Sequence, residues 1–205
     1  MLISKDEFDR IFTAEYKRLL LKCIHEGLAD YNNPKYYSAE ARRDHTKSAR
    51  ALNRHCHIVA RMNRALIEHN NIRAITKKGR PLFIFNDKLQ FSIKKFDSRL
   101  RTSNVPTRQA NAFKAQLSLD VDMPPELTNV FTGYRYNLTE TYYEVYITCP
   151  DYEQNFWIWK ISGAEITDFF SDSPSVNIDD IGTVSIKKPR VLVRPGAQRR
   201  AKENE

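Results

Sequence analysis

Residues 81–96 read PLFIFNDKLQFSIKKF, and this stretch decides the fold. Two apolar runs, Pro81–Phe85 and Leu89–Phe96, flank the turn-prone residues Asn86–Lys88. Short apolar runs on either side of such residues predict two strands joined by a tight turn. The stretch therefore predicts a β-hairpin in the middle of the chain.

Three further strands follow the hairpin, at Val130–Leu138, Tyr142–Cys149 and Phe156–Ile161. Polar turns separate them, which favours an antiparallel meander. Between the hairpin and the meander, a helix is predicted over Asn104–Leu117. Its Pro106 lies near the first turn, where a missing amide has no consequence.

Two helices are predicted before the hairpin. Ser4-Lys5-Asp6-Glu7 is a capping box that opens the first, and apolar residues recur at helical spacing until the turn residues near Asn33. The second helix runs from Ser38 to about Asn70. Its apolar side comprises Ala49, Leu52, Cys56, Val59 and Leu66.

The predicted fold class is therefore α+β: an N-terminal helical hairpin packed on an antiparallel sheet of about five strands, with one inserted helix. The helical hairpin covers residues 1–72 and the β-rich region covers residues 73–170. Residues 171–205 form a basic tail predicted to be poorly ordered, apart from a candidate edge strand at Val184–Lys187.

Composition excludes several classes of protein. The many Phe, Tyr, Ile and Leu residues exclude wholesale disorder. No apolar run approaches the roughly 18 residues of a membrane span, and the N-terminus lacks the layout of a signal peptide. Three scattered cysteines do not form a disulfide framework, which indicates a reducing compartment. We expect a cytoplasmic protein that does not bind membranes.

The net charge of +8 conceals strong segregation along the chain. Residues 1–70 carry 13 basic and 9 acidic side chains, and residues 71–115 carry 11 and 2. Residues 116–182 reverse the balance with 2 and 12, and residues 183–205 restore it with 7 and 2. Such blocks either attract one another inside the fold or face different partners.

A basic ridge is predicted on the second helix. Its members follow steps of 3, 4, 3, 4 and 3, so they share one face, roughly 25 Å long. Such a face could follow several backbone phosphates, whereas the alternative is that it packs on the acidic 116–182 region. The ridge consists of Lys47, Arg50, Arg54, His57, Arg61 and Arg64.

Residues 94–109 form a second candidate phosphate site. The segment leaves a strand, crosses a polar loop that includes Ser103, and enters a helix whose first amides could bind an anion. Its arginines offer the forked donors that suit phosphate; the alternative is a simple helix cap beside a solvated loop. The predicted binding residues here are Lys94, Lys95, Arg99, Arg101, Asn104, Thr107, Arg108 and Gln109.

The histidines suggest a catalytic alternative. His57 lies among cations, which would keep it neutral and able to accept a proton during phosphodiester cleavage, with Lys94 or Arg61 as its partner. Arg50 and His55 also match an Arg-x4-His string of some metal-independent ribonucleases, although residues five apart diverge by about 140° on a helix. No metal site and no cofactor are predicted.

Aromatic residues crowd the predicted meander. Alternation makes both faces of the last strand apolar, and an exposed set could stack on bases. The same stretch is acidic, however, so core packing or a protein interface is favoured over contact with phosphate. The set comprises Phe131, Tyr134, Tyr136, Tyr142, Tyr143, Tyr146, Phe156, Trp157 and Trp159.

Four local patterns lie between residues 94 and 150: Lys94-Lys95-Phe96-Asp97, Asn104-x-Pro106-Thr107-x-Gln109-Ala110, Gly133-Tyr134 and Cys149-Pro150. Together they resemble an uncharacterised family of small bacterial proteins, over roughly residues 50–161. Members of that family are intracellular and are often encoded beside helix-turn-helix regulators, and some are fused to a zinc-peptidase-like domain. The matching positions here are His57, Lys94, Lys95, Asp97, Asn104, Thr107 and Gln109.

The resemblance implies a two-gene regulatory or defence module, such as a toxin–antitoxin pair or a prophage switch. Taken with the charges, it predicts a cytosolic nucleic-acid-binding protein (DNA or RNA), whose protein partner would be a helix-turn-helix regulator. Two alternatives stay open: a metal-independent nuclease-type toxin that uses His57, and a module that binds a basic protein through its acidic, aromatic sheet.

Overall fold

The structure, a computed structural model, describes residues 2–66, 69, 71–77, 79–102, 107–117, 124, 126–137 and 143–161. The chain divides into two units, Met1–Asp172 and Ser173–Glu205, and every described residue belongs to the first. The predicted basic tail and its edge strand at Val184–Lys187 lie outside the described residues, as do Ser103 and Asn104.

Six strands form one sheet, in the same order as in the chain. The predicted α+β class is confirmed, and the sheet has one strand more than the predicted five because the residues that precede the hairpin also pair with it. The strands are β1 (Ile72–Lys77), β2 (Arg80–Phe85), β3 (Leu89–Lys95), β4 (Thr128–Tyr136), β5 (Tyr143–Asp151) and β6 (Gln154–Ile161).

The predicted hairpin is confirmed as β2 and β3, with Phe85 opposite Leu89. Asn86 and Asp87 take positive φ angles of 50° and 52°. Their short polar side chains tolerate that conformation better than other residues with a Cβ. The turn chemistry in the sequence therefore fixes the register of the central strands.

The pairing of β3 with β4 is parallel, which corrects the prediction of an antiparallel sheet at this position. A parallel neighbour needs a long crossover connection, and the inserted helix α5 (Arg108–Lys114) lies in it. The two backbones approach closely where Gly133 pairs with Lys94. A Cβ atom on Gly133 would lie 1.7 Å from the carbonyl oxygen of Lys94, so only glycine fits there.

The predicted helical hairpin is made of four helices rather than two: α1 (Lys5–Ile11), α2 (Ala14–Asn32), α3 (Ala39–Asp44) and α4 (Lys47–Leu66). The caps predicted at Ser4 and Ser38 are confirmed by hydrogen bonds to their hydroxyls. The second predicted helix is interrupted because Thr46 accepts a hydrogen bond from the amide of Ala49 and so caps a new helix.

Helices α1, α2 and α4 pack on one face of the sheet, and α5 packs on the other. Helices α2 and α4 are antiparallel and approach closely at Gly27, where a Cβ atom would lie 2.6 Å from Ile58 Cα. The buried stripe of α4 consists of Arg54, Ile58, Met62 and Leu66. The apolar side predicted from the sequence is wrong at Leu52 and Cys56, which are exposed, because the core-facing stripe begins with an arginine.

Candidate nucleic-acid interface

The predicted basic ridge does not form one continuous surface. Its residues lie on one broad side of α4, but their surroundings differ from turn to turn. Lys47 lines a cleft, two arginines line a pocket, His57 packs on tyrosines, and Arg61 is paired with acids. Arg64 is exposed and donates a hydrogen bond to the backbone carbonyl of Ala60. The ridge therefore divides into distinct sites.

Arg61 is committed to α2. Its Nε and Nη2 donate to both carboxylate oxygens of Asp30, each at 2.7 Å, and its Nη1 donates to Glu26 at 2.9 Å. The hydrogen bonds from Arg61 lower the pKa of Asp30 despite the burial of that carboxyl. Arg61 is thus paired within the fold, but its acids come from α2 and not from residues 116–182, the region that the predicted alternative named.

A pocket of about 420 Å³ lies between α3 and the first half of α4. We call it the arginine pocket, because four of its lining residues are arginines and the described lining residues include no Asp or Glu. Arg42 donates to the backbone carbonyl of Asn32, and Arg50 donates to that of His45. The lining consists of Tyr31, Asn32, Ala39, Arg42, Arg43, Arg50 and Arg54.

Arg54 forms the inner wall of this pocket. Its guanidinium carbon lies 5.0 Å from the ring centroid of Tyr31 and 4.5 Å from that of Tyr136, and only 6 % of the residue is exposed. Stacking on aromatic faces is a geometry that the planar guanidinium favours. Arg54 is therefore a positive charge held in place between α2 and β4.

His57 belongs to a group of aromatic side chains beside the pocket. Its ring lies 5.4 Å from that of Tyr36 and 5.7 Å from that of Tyr37. Tyr36 is 51 % exposed. The group thus presents one open tyrosine face to solvent next to the arginine pocket.

The second recess is a cleft of about 600 Å³ between the start of α4 and the C-terminal ends of β3 and β4, which we call the lysine cleft. Three lysines and one histidine line it together with apolar residues. Its lining residues are Lys47, Ser48, Ala51, Leu52, His55, Ile93, Lys94, Lys95, Phe96, Asp97 and Tyr134.

Burial perturbs two titratable groups of the lysine cleft. It lowers the pKa of Lys94 to about 8, and the nearby charge of Arg80 contributes to the same shift. Burial also lowers the pKa of His55, and the charge of Lys94 lowers it further. At neutral pH the cleft therefore holds a neutral imidazole and an ammonium group that releases its proton unusually easily.

The predicted catalytic group of His57, Lys94 and Arg61 does not come together. His55 lines the cleft with Lys94, whereas His57 packs on tyrosines and Arg61 on α2. Two residues that are two positions apart on a helix diverge by about 200°, so His55 and His57 cannot share a site. The structure therefore places His55, and not His57, in one recess with Lys94, and a catalytic role for His57 stays a prediction.

Asp97, at the rim of the cleft, shapes a turn. Its Oδ1 accepts hydrogen bonds from the amides of Arg99 at 2.8 Å and Arg101 at 2.9 Å, and Phe96 bridges to Thr102 beyond them. Burial acts to raise the pKa of Asp97, but these hydrogen bonds outweigh it and the pKa is lowered. The carboxylate thus closes the loop and leaves the side chains of both arginines at the surface.

Two roles were predicted for the start of α5, an anion site and a simple helix cap, and the structure shows the helix cap. The hydroxyl of Thr107 accepts a hydrogen bond from the amide of Ala110, so the helix is capped by its own side chain. Arg108 is exposed and Gln109 is half-buried. Phe113 stacks on Phe131 with 4.7 Å between ring centroids, which fixes α5 on the sheet.

Most described aromatic residues of the meander belong to the core, as favoured above. Phe131, Tyr134, Tyr146 and Trp157 are buried, whereas Phe156 is 54 % exposed; Tyr142 lies outside the described residues. The acidity of this region is partly neutralised locally. Glu144 pairs with Lys160 and Arg135, and the hydrogen bond from Lys160 is the main reason that its pKa falls to about 2.

Sequence reasoning missed Arg42 and Arg43 as lining residues of a recess, and it considered His55 only as part of an Arg-x4-His string. Thr46 is the residue that could have revealed the two arginines. Because Thr46 caps a new helix, α3 ends before it, and the last turn of α3, which carries both arginines, faces α4. The position of the core-facing stripe of α4 could have shown which way His55 faces. Once Arg54 and Ile58 face the core, His55 faces the side on which β3 ends.

Comparison with known protein families, with curated proteins and with solved structures finds no match to this chain. The resemblance to the bacterial family described above therefore stays a prediction. Among the described residues, no helix has the length and hydropathy needed to cross a bilayer.

Proposed function

We propose that this protein binds nucleic acid through the lysine cleft and the arginine pocket, on either side of the first half of α4. The observation that carries the proposal is the convergence of cations from three elements on two adjacent recesses. Among the described lining residues, the one carboxylate is that of Asp97, and its Oδ1 already accepts two backbone amides. Both recesses therefore favour polyanions.

The two recesses are close enough for one strand to occupy both. Lys47 lines the cleft and Arg50 lines the pocket, and the two residues are three positions apart on the helix, or about 5 Å along its axis. Tyr36 adds an exposed aromatic face beside the pocket. Cations that follow a backbone, together with an aromatic surface for bases, are typical of proteins that bind single-stranded nucleic acid.

The test is a salt titration of the binding of labelled single-stranded DNA and RNA, measured by fluorescence anisotropy. Each phosphate contact contributes a slope of about −0.7 in log K against log salt. We expect Lys47→Ala to reduce the slope by about one contact. Lys88→Ala, at the exposed opposite end of β3, is the matched control and should leave the slope unchanged.

Two results would overturn the proposal. One is the absence of any salt-dependent binding to DNA or RNA oligonucleotides. The other is an equal effect of the Lys47 and Lys88 substitutions, which would show that only net charge matters and that neither recess is a site.

A second candidate function is cleavage of RNA in the lysine cleft, and the presence of both His55 and Lys94 in its lining favours it. A neutral His55 would accept the proton of a ribose 2′-hydroxyl as its oxygen forms a bond to the adjacent phosphorus. The bond from phosphorus to the 5′ oxygen would break, and Lys94 would supply the proton that this oxygen takes up. The products are a 2′,3′-cyclic phosphate and a 5′-hydroxyl end.

The cleavage hypothesis separates the two neighbouring histidines. We expect His55→Ala to abolish the release of cyclic phosphate while binding persists, and His57→Ala to retain it. A substrate with a single ribose should be cut only at that nucleotide. Equal activity of the His55 variant, or cleavage of all-deoxy strands, would exclude this chemistry.

The setting that we propose is a two-gene regulatory or defence module with a helix-turn-helix regulator as the partner. Its support is the resemblance at residues 94–97 and at Gly133-Tyr134, which lie side by side where β3 and β4 pair. Co-purification of the chain with the product of an adjacent gene tests the setting. Purification of the chain alone after co-expression would contradict it.

A further inference from the structure

We infer that the arginine pocket is a site for a phosphate monoester, the group found at a phosphorylated end of a nucleic acid or on a free nucleotide. This inference deepens the nucleic-acid binding proposed above and rests on it for the choice of ligand class. It concerns Arg42 and Arg43, which lie outside the basic ridge, as well as Arg50 and Arg54.

The shape of the arginine pocket suits the end of a nucleic-acid strand. Two arginines come from the last turn of α3 and two from the first half of α4, so the guanidinium groups approach from two helices. The volume of about 420 Å³ lies within the range of small-ligand sites and accommodates a phosphate with its sugar.

The cationic groups are held in place before any ligand arrives. Arg54 lies over two tyrosine rings, and Arg42 and Arg50 are each anchored by a hydrogen bond to a backbone carbonyl. A guanidinium has five N–H donors, so one such bond leaves Arg42 and Arg50 with donors for an oxyanion. Side chains that are already fixed lose little conformational entropy when they bind.

The charge balance favours a dianion. The described lining residues contain four arginines and no carboxylate, and Asp30, the buried acid nearby on α2, is bonded to Arg61. Glu40 and Asp44 lie on α3 but are exposed and do not line the pocket. A phosphate monoester carries about −1.5 to −2 charges at pH 7, against one for each internal phosphodiester.

The two recesses also differ in the kind of cation. The lysine cleft offers ammonium groups, which act as point charges, whereas the arginine pocket offers planar forks that bind two oxygens of one phosphate. A terminal phosphate exposes three such oxygens. We therefore assign the strand end to the arginine pocket and internal phosphates to the lysine cleft.

The experiment compares one oligonucleotide sequence with a 5′-phosphate, a 3′-phosphate or hydroxyls at both ends, by anisotropy with the full-length protein. We expect at least one phosphorylated form to bind about tenfold more tightly than the hydroxyl form, the effect of one or two charge-assisted hydrogen bonds. The double variant Arg42→Ala/Arg43→Ala should lose that preference, so that it binds the phosphorylated and hydroxyl forms with equal affinity.

The matched control is Arg18→Ala, an exposed arginine on α2 that lies about 21 Å along the axis from Asn32. It should keep the preference. Arg43→Lys retains the charge but loses the fork, so we expect it to lose most of the preference. Thermal melts of all variants identify any loss that results from unfolding.

Competition by adenosine monophosphate, with adenosine as its control, identifies the source of the phosphate. A preference for phosphorylated strands assigns the site to strand ends, and competition without that preference assigns it to free nucleotides. If neither effect is seen and the hydroxyl strand still binds with a salt-dependent affinity, the inference is wrong while the proposed function stands. If no strand binds, the proposed function fails as well.

Discussion

The two halves of α4 carry the same pattern of cations and meet opposite surroundings. In the first half, Lys47, Arg50 and Arg54 line open recesses. In the second half, Arg61 is bonded to Asp30 and Glu26 of α2, and Ile58 touches Gly27 of the same helix. The difference arises because α2 approaches α4 closely at Gly27, next to the acids that hold Arg61.

Regular spacing of cations thus shows that side chains share a face, but not whether that face is available to a ligand. Availability depends on the neighbouring element. Here Glu26 and Asp30 are four residues apart on α2, one helical turn, so both reach the same guanidinium. A ridge in a sequence becomes a binding surface only where no such acids lie opposite.

The largest expected effect comes from separating α2 and α4. Gly27→Val places a branched side chain where even a Cβ atom would lie 2.6 Å from Ile58 Cα, so the backbones must move apart. We expect the free energy of unfolding to fall by about 3 kcal/mol, at the upper end of the usual range for overpacking. Urea denaturation at pH 7 measures it.

The matched control is Ala29→Val, two residues away on the exposed side of α2. It introduces the same β-branched side chain at an exposed position, so only the lower helix propensity of Val relative to Ala should act, and its effect should be a few tenths of a kcal/mol. Similar losses for the two variants would show that the approach of α2 to α4 does not hold the second half of α4 in place.

A smaller effect is expected from removing the carboxylate that holds Arg61. Asp30→Asn leaves the guanidinium without its main counter-charge in a largely buried position, and we expect a loss of about 2 kcal/mol, below the range for fully buried pairs because Arg61 is partly exposed. Asp87→Asn removes an exposed partner of Arg73 and should have almost no effect.

The pH dependence of this loss has a definite sign. Arg61 lowers the pKa of Asp30 in the folded state below its unfolded value of about 3.9. The stabilisation is therefore complete above that value and is lost as the pH falls through the folded pKa. The difference between the wild type and Asp30→Asn should shrink as the pH falls below about 4. A difference that stays constant with pH would contradict the assignment to charge.

Sequence reasoning recovered those parts of the fold that depend on local chemistry. Turn residues placed the β2–β3 hairpin, and serine hydroxyls placed the starts of α1 and α3. It did not find the parallel pairing of β3 with β4, because that pairing depends on a crossover and on a close approach at Gly133 that no local pattern encodes.

The candidate site was recovered only in part, for the same reason. Lys47, Lys94 and Lys95 meet in one cleft as the predicted binding residues, and the Arg50 and Arg54 positions share the pocket. The orientation of α4 was misjudged because an arginine was assumed to face solvent, whereas Arg54 stacks on two tyrosines in the interior. For that reason the sequence did not predict that His55 would line the same cleft as Lys94.

The smallest expected effect concerns the lysine cleft, which the first half of α4 lines. Lys94 has a pKa of about 8, lowered by burial and by Arg80, so the lysine cleft loses one cation between pH 7 and pH 9. The affinity for a single-stranded oligonucleotide should therefore fall about fivefold, or about 1 kcal/mol, over this range at constant ionic strength. Lys94→Arg keeps its charge and should abolish the change. If the arginine variant shows the same decline, the group whose deprotonation weakens binding lies outside the lysine cleft. The arginine pocket alone would then account for the affinity of the first half of α4 for the oligonucleotide.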